Sequence, residues 1–473
     1  MSSERPVLIR GGYVVSQDEA IGDLAIGDVL IQGQRIVDVG VNLSVADAEI
    51  IEARGMIVSP GFVDTHRHVW QSLLRTVASD WTLFNYTTSI RLGYSSCYTE
   101  ADAFLGNYSG ALEALNAGVT TVVDHSHIMN SPQHADEALR GLRESGIRAV
   151  FCYGLFPNPK QHPFRFDDFD PGWRAADAWR IRKTLLASDD GPIYMGLAPS
   201  EVEKAPFEKA CAEIALGRDL QAQVISCHVA MSGYSTAFGR SFTTKLGQEG
   251  LLGPDILLVH GNSLNRYELN MVVDAGAGIS ATPEVEVQMG MGRPVLAAAM
   301  ALGAKVGLGV DIVSNIPGDM FHPMRASLEE LRGASNDILV ARDEVPRRLD
   351  SRCRDVLELA TLGGARAVGL DSQIGSLTPG KRADVICVSR DSLNMMGATD
   401  PAAALVFYAT ANDVDTVFVN GRMLKRAGHL VDCDTRSLTS AVRDARSRID
   451  ERFSRLSVGD FEGYYKGKYN FGN

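Results

Sequence analysis

The chain has 473 residues, 45% of them hydrophobic and 22% charged, with a formal net charge of −12. Such a length provides for two or three domains around a large core, and no apolar run is long enough to span a bilayer. The acidic balance, without a Lys/Arg-rich stretch, excludes binding by phosphate neutralisation, and seven scattered cysteines without a Cys-x-x-Cys, in a chain with no export-type leader, point to reduced thiols in the cytoplasm.

From Val7 to Ile57 short alternating segments (VLIRGGYVV, GDVLIQGQRIVDVG, EIIEARGMIVSPG) read as meandering antiparallel strands, with Gly33-Gln34 as a hairpin turn. The same pattern returns in ADVICVS (383–389) and DTVFVNGRML (415–424). Residues 1–58 and 373–436 are therefore expected to form one small β-sandwich from both chain ends. Between them, residues 59–372 alternate apolar β runs with amphipathic stretches. Strands are expected at 61–66, 118–125, 147–154, 193–199, 222–228, 255–260, 277–283 and 304–311, the count of a TIM-type (β/α)8 barrel. Helical stretches such as 108–118 and 135–146 end on Gly, as helix C-termini often do. Residues 437–473 comprise a C-terminal helix with Leu438, Ala441, Val442, Ala445, Ile449, Phe453 and Leu456 at helical spacing. An aromatic tail follows (Phe461, Tyr464, Tyr465, Tyr469, Phe471) that docks on the same chain or on a partner subunit.

Chemistry-bearing residues fall where such a barrel collects them. His66, His125, Glu201, His228, His260, Glu284 and Asp311 each lie at or just past the carboxyl end of a strand, the rim where barrel active sites assemble. On an extended segment the two rings of His66-x-His68 project to one side and can chelate one ion, while Arg67 points away and suits a salt bridge outside the site. Cys227 should face away from His228 for the same reason and serve as a small buried hydrophobe. Imidazoles with a carboxylate suit zinc foremost, and also iron, manganese or cobalt, in a site that leaves a position open for water.

The motif VSPGFVDTHRHVWQSLLR (58–75) resembles the first-strand signature of the amidohydrolase superfamily, in its cytosine-deaminase, guanine-deaminase and triazine-hydrolase branch. The segment TLGGARAVGLDSQIGSLTPGKRADVICV (361–388) is similar to that branch's return into the composite β-domain. The resemblance implies one divalent metal on His66, His68, His228 and Asp311, with His260 beside the attacking water. It also implies a homodimer or homotetramer acting on a small-molecule substrate, with neither nucleic acid nor membrane as partner. The fourth strand lacks the lysine of binuclear members, which favours a mononuclear site, with Glu201 and Glu203 as lesser candidates for a second ion. The family's His-x-x-Glu is replaced by His228-Val229-Ala230-Met231, and Met231 cannot relay protons. The segment Ala281-Thr282-Pro283-Glu284-Val285-Glu286 stands where the branch has an Asn-Pro type sequence, and Glu284 is the first candidate for the missing carboxylate, against a rim salt bridge.

The expected reaction is hydrolysis of a C–N or related bond at an unsaturated carbon of a small cyclic substrate. Asp311 takes the proton of the attacking water and His260 stabilises charge or protonates the leaving group. Gln71, which matches a ring-recognising position in some relatives, is a candidate substrate contact. Trp70 and Trp81 are candidate stacking surfaces with core packing as their alternative, and His125 and His127 are a substrate-binding or supporting pair. A ring-opening hydrolase, decarboxylase or lyase on the same scaffold, and a non-catalytic structural relative, are the remaining alternatives.

Overall fold

The computed structural model describes residues 5–161, 164–165, 172–231 and 242–469. The chain enters through β1 (Val7–Val15), β2 (Asp23–Gln32), β3 (Arg35–Gly40), β4 (Glu49–Glu52) and β5 (Met56–Pro60). Gly33-Gln34 makes the two-residue turn between β2 and β3, with Gln32 opposite Arg35. The expected all-antiparallel meander is not what forms: β4 and β5 both lie parallel to β1, one after the other along its edge. The turn at Gly55 (φ 78°) separates these two segments, so the chain passes β1 twice in one direction.

Eight parallel strands then build the barrel: β6 (Phe62–Arg67), β7 (Val119–Ser126), β8 (Arg148–Gly154) and, beyond a two-residue hairpin β9 (Lys160–Gln161) and β10 (Phe164–Arg165), β11 (Ile193–Ala198), β12 (Ile225–Val229), β13 (Ile256–His260), β14 (Gly278–Ala281) and β15 (Lys305–Leu308). All eight fall on segments anticipated from the sequence. Side-chain alternation divides the core. Val122, Ala149 and Leu258 join the large cluster under the helices, whereas Val123, Val150 and Leu257 join a separate inner cluster with Ala365 and Val368.

The ring closes between the ends of β6 and β15. Asp311 N–H donates to His66 O at 2.8 Å and His68 N–H to Asp311 O at 2.8 Å. Gly309 permits this approach, since a Cβ there would stand 2.8 Å from His66 O.

Strands β16 (Val385–Ser389), β17 (Val414–Val419), β18 (Arg422–Arg426) and β19 (His429–Leu430) complete a nine-stranded mixed sheet in the order β19-β18-β17-β16-β5-β1-β2-β3, with β4 beside β1. The segment 415–424 is two strands rather than one, because Asn420-Gly421 is a tight turn with both residues at positive φ. A buried bidentate pair joins sheet to barrel. Arg148 on β8 donates from Nε to Asp384 Oδ2 at 2.7 Å and from Nη2 to Oδ1 at 2.9 Å.

The helix Thr435–Phe453 lies over the segment after β6. Phe453 stacks on Tyr94 at 3.8 Å, Tyr94 O–H donates to Asp450 at 3.0 Å and Arg452 Nε to Cys97 O at 2.6 Å. Of the tail aromatics, Phe461 is buried in the same chain on the helix Val458–Tyr469. The side chains of Tyr464, Tyr465, Tyr469 and Phe471 lie outside the described residues. No helix among the described residues is long and apolar enough to cross a membrane.

Removing one partner of the Arg148–Asp384 pair strands a charge in the interior. Asp384→Ala should cost about 3–5 kcal/mol, read from the urea midpoint, and the double variant Arg148→Met/Asp384→Leu should recover most of that loss.

Candidate active site

Three strand ends and one loop converge at the carboxyl mouth of the barrel. His66 Nε2 lies 3.3 Å from His228 Nε2 and 3.3 Å from Asp311 Oδ1, and His68 Nε2 lies 3.4 Å from the same Asp311 oxygen. Tetrahedral ligands about 2.0–2.1 Å from an ion sit roughly 3.3–3.4 Å apart, so this spacing fits one zinc-sized cation. Two overlapping groups, His66 with His228 and His260 and His66 with His68 and Asp311, bring their ligand atoms within 4.8 Å of one another.

The imidazoles are prepared to offer lone pairs. Burial, reinforced by repulsion from His228 and His260, holds His66 well below the usual histidine range, and burial with repulsion from His66 does the same for His68. His68 Nδ1 faces the backbone carbonyl of His125 at 2.8 Å, so Nδ1 carries the proton and Nε2 is left free to coordinate. His228 Nδ1 faces Glu201 Oε1 at 3.6 Å, which supports the same tautomer. Arg67 turns away and pairs with Asp64 at 2.6 Å, both fully buried.

Positive φ angles aim two of the central side chains. Leu257 and Val259 set the inward phase of β13, and His260 falls one residue out of it. Its φ of 73° turns the ring into the mouth, and Asp311 has φ 66°. Behind His260 runs a relay: its Nδ1 lies 3.0 Å from Thr282 Oγ1, which donates to Glu286 Oε1 at 3.2 Å, while Glu286 also accepts Thr282 N–H at 2.8 Å. Burial alone would lower the His260 pKa, but the bond to Glu286 and the charge of Asp311 raise it above its usual value.

Glu286 is the carboxylate of this segment that backs His260, and Glu284 faces elsewhere. Pro283 starts a helix (Pro283–Gln288), on which residues two apart face different sides. Glu286 returns to the Thr282 N–H, whereas Glu284 is placed towards Asp319 and His322, where burial raises its carboxyl. Glu201, just past β11, lines the cavity together with Met231. Burial would raise its carboxyl too, but Lys204, His228 and Arg91 hold it well below the usual range.

Gln71 and Trp70 do not line the cavity. Gln71 is fully buried, its Nε2 donating to Tyr86 Oη at 2.7 Å and its Oε1 accepting from Ser314 at 3.1 Å. Trp70 is fully buried against Tyr98, and its Nε1 donates to His127 Nδ1 at 3.1 Å. Trp81 is half-buried at the edge of the main core. His125 stacks on His228 at 4.2 Å with Nδ1 against Ser226, and His127 lines the cavity stacked on His68 at 4.0 Å. The cavity spans about 690 Å³, counted out to its open mouth.

Residues 57–424 match the model of the amidohydrolase family. The chain belongs to the amidohydrolase family. A 5-methylthioadenosine/S-adenosylhomocysteine deaminase of Desulforudis audaxviator (strain MP104C) is 29% identical, over 94% of this chain and 99% of the relative. Among solved structures, a zinc-bound adenosine deaminase from Xanthomonas campestris superposes with TM-score 0.83 at 23% identity, covering 94% of this chain and 98% of that one. A triazine hydrolase variant also superposes with TM-score 0.83 at 23% identity, covering 94% and 100%. This amidohydrolase is thus an enzyme of the class that hydrolyses carbon–nitrogen bonds other than peptide bonds, in a metal-dependent family, with a His/Asp site in place.

Two outcomes follow for this site. Purified protein should carry one divalent ion per chain by elemental analysis, and Asp311→Ala or His66→Ala should lose it together with activity. Glu286→Gln removes the main group that holds the His260 proton. His260 should then deprotonate at lower pH, moving the alkaline limb of the kcat/KM profile downward and reducing kcat about 10–100-fold with the ion retained.

Proposed function

We propose that the chain is a zinc-dependent, deaminase-type hydrolase that replaces an amino or related leaving group at an unsaturated carbon of a small nitrogen-containing ring. The observation that carries this reading is the spacing of three imidazole nitrogens and the Asp311 carboxylate, 3.3–3.4 Å between neighbours, at the mouth of the cavity. His66, His68, His228 and Asp311 would hold the ion, which supplies a water of lowered pKa and polarises the C=N or C=O group under attack. Asp311 is placed to take a proton from the attacking water. His260 presents Nε2 to the cavity, backed by Thr282 and Glu286, and donates to the oxygen or leaving group that gains electrons.

Glu201 is the carboxylate other than Asp311 among the described cavity-lining residues, and it takes the proton-transfer task that the family assigns to the residue at Met231. From the cavity wall this carboxylate can exchange a proton between the water side and a ring nitrogen. The names of the relatives, adenosine-type deaminases and triazine hydrolases, support a flat heterocycle as substrate. A homodimer or homotetramer in the cytoplasm accompanies this reading, the compartment supported by seven free cysteines.

One observation favours a second reading. Met231 lines the cavity where a proton relay would stand, which suits a leaving group that departs without protonation of the ring from that side. The product decides between them. Metal-loaded protein screened against heterocyclic amines should release ammonia, and release of an amine, halide or ring-opened acid instead supports the second reading. With the substrate so found, Glu201→Gln should reduce kcat by about 10²–10⁴-fold with the ion retained, and unchanged turnover removes Glu201 from the mechanism.

A further inference from the structure

The end of the cavity formed by the segment after β6 has donors without acceptors. Thr87–Arg91 winds as a single π-helical turn and delivers Arg91 into the cavity wall, where it is 5% exposed. Its Nη1 donates to Asn158 Oδ1 at 2.9 Å and its plane lies 4.6 Å over the Phe156 ring. Its Nη2 is buried with no hydrogen-bond partner, and among the described residues no carboxylate lies within ion-pair distance of the guanidinium.

His127 adds a second donor whose proton position is fixed by geometry. The indole N–H of Trp70 can only donate, and it donates to His127 Nδ1, so that nitrogen bears no proton and Nε2 must carry it. This Nε2 is buried without a partner in a ring that lines the cavity. Tyr86 supplies a third. Ser314 fixes the Gln71 amide so that Nε2 donates to the Tyr86 oxygen, which directs the phenol proton elsewhere, and burial pushes that phenol pKa far up. Asn158 ties the group together, donating to the His127 carbonyl at 3.0 Å while accepting from Arg91.

We propose that this end of the cavity is an anion subsite, and that the substrate carries a carboxylate bound by Arg91, His127 and Tyr86 while its reacting carbon lies beside Asp311. A guanidinium buried with Nη2 unbonded, opposed only by the Glu201 carboxylate beyond ion-pair distance, and two further buried donors are costly, and a carboxylate placed among them supplies the missing acceptors. Phe156, Leu83, Leu92, Met289 and Met291 line the space between and suit the flat apolar faces of a heterocycle. The proposal rests on the hydrolase reading only for the reacting end of the substrate.

The test is titration calorimetry on the metal-loaded protein with two matched pairs of ring compounds, orotate against uracil and nicotinate against nicotinamide. Each acid should bind at least about tenfold more tightly than its neutral partner. Arg91→Gln should abolish that preference by weakening the acids alone, Arg91→Lys should keep part of it, and His127→Phe should reduce it. Unchanged affinity of the neutral compounds serves as the check that each variant is folded. Equal binding of acids and neutral compounds by the wild type, failure of both acids to bind at millimolar concentration, or a preference that survives in Arg91→Gln overturns the subsite. Ammonia release is scored separately, on amino-bearing ring acids and their neutral counterparts such as 6-aminonicotinate against 2-aminopyridine. A carboxylate preference without it refutes the deaminase reading alone, and ammonia release from neutral rings without any preference refutes the subsite alone.

Discussion

The backbone seam between β6 and Asp311 is the constraint from which the rest of the molecule is organised. Two hydrogen bonds of 2.8 Å, from Asp311 N–H to His66 O and from His68 N–H to Asp311 O, close the ring of eight strands. The same two bonds bring the Asp311 carboxylate to 3.3–3.4 Å from the two imidazoles of the first strand. Fold closure and ligand geometry are thus one event. The last strand can approach so closely because Gly309 has no Cβ, and Asp311 can turn back because its φ is 66°. Strain of this kind persists only where surrounding structure over-determines it, and here the barrel does so from both sides.

Electrostatics follows from that compression. Several imidazoles packed in one buried mouth disfavour one another's protonation, so His66 and His68 present lone pairs at neutral pH. His260 is the exception because it has its own acid: Thr282 and Glu286 stand behind Nδ1 and favour the charged ring. Neighbouring histidines on one rim therefore do opposite jobs. The difference lies in a helix turn that begins at Pro283, since only the fourth residue of that turn can reach back to the strand end.

The strands, their order and the rim residues were legible because strand periodicity and barrel polarity are local rules: apolar runs of four to eight residues mark strands, and polar residues at their carboxyl ends mark the mouth. What was not legible depends on angles that residue types do not announce. Glu284 and Glu286 are indistinguishable as letters, and only the helical register after Pro283 sends one to His260 and the other towards His322. Gln71 and Trp70 follow the His-x-His closely enough to suggest substrate contact, but the turn Val69–Leu74 buries both, making them supports for Tyr86 and His127. Arg91 carried no signal because it sits in a π-helical turn whose widened spacing no standard helical or strand period matches. The Asn420-Gly421 turn obeys hairpin rules but lies within a longer apolar run that masks it.

The two ends of the cavity are built from different material, and this division has a functional logic. His228 and His260 stand on barrel strands and Asp311 on the seam that closes them, where parallel pairing fixes each position to its neighbours. Tyr86 and Arg91 stand on short helical turns after β6 and Phe156 on the loop after β8, connections that can change without disturbing the ring. The segment after β6 is nevertheless not left loose. The helix Thr435–Phe453, from the far end of the chain, stacks Phe453 on Tyr94 and ties Arg452 to Cys97 O, a few residues beyond Arg91. The position of the cavity wall that carries Arg91 therefore depends on packing by this helix as much as on the barrel. The chemistry held at the seam can stay constant while the facing wall is set by elements that fold onto it from outside.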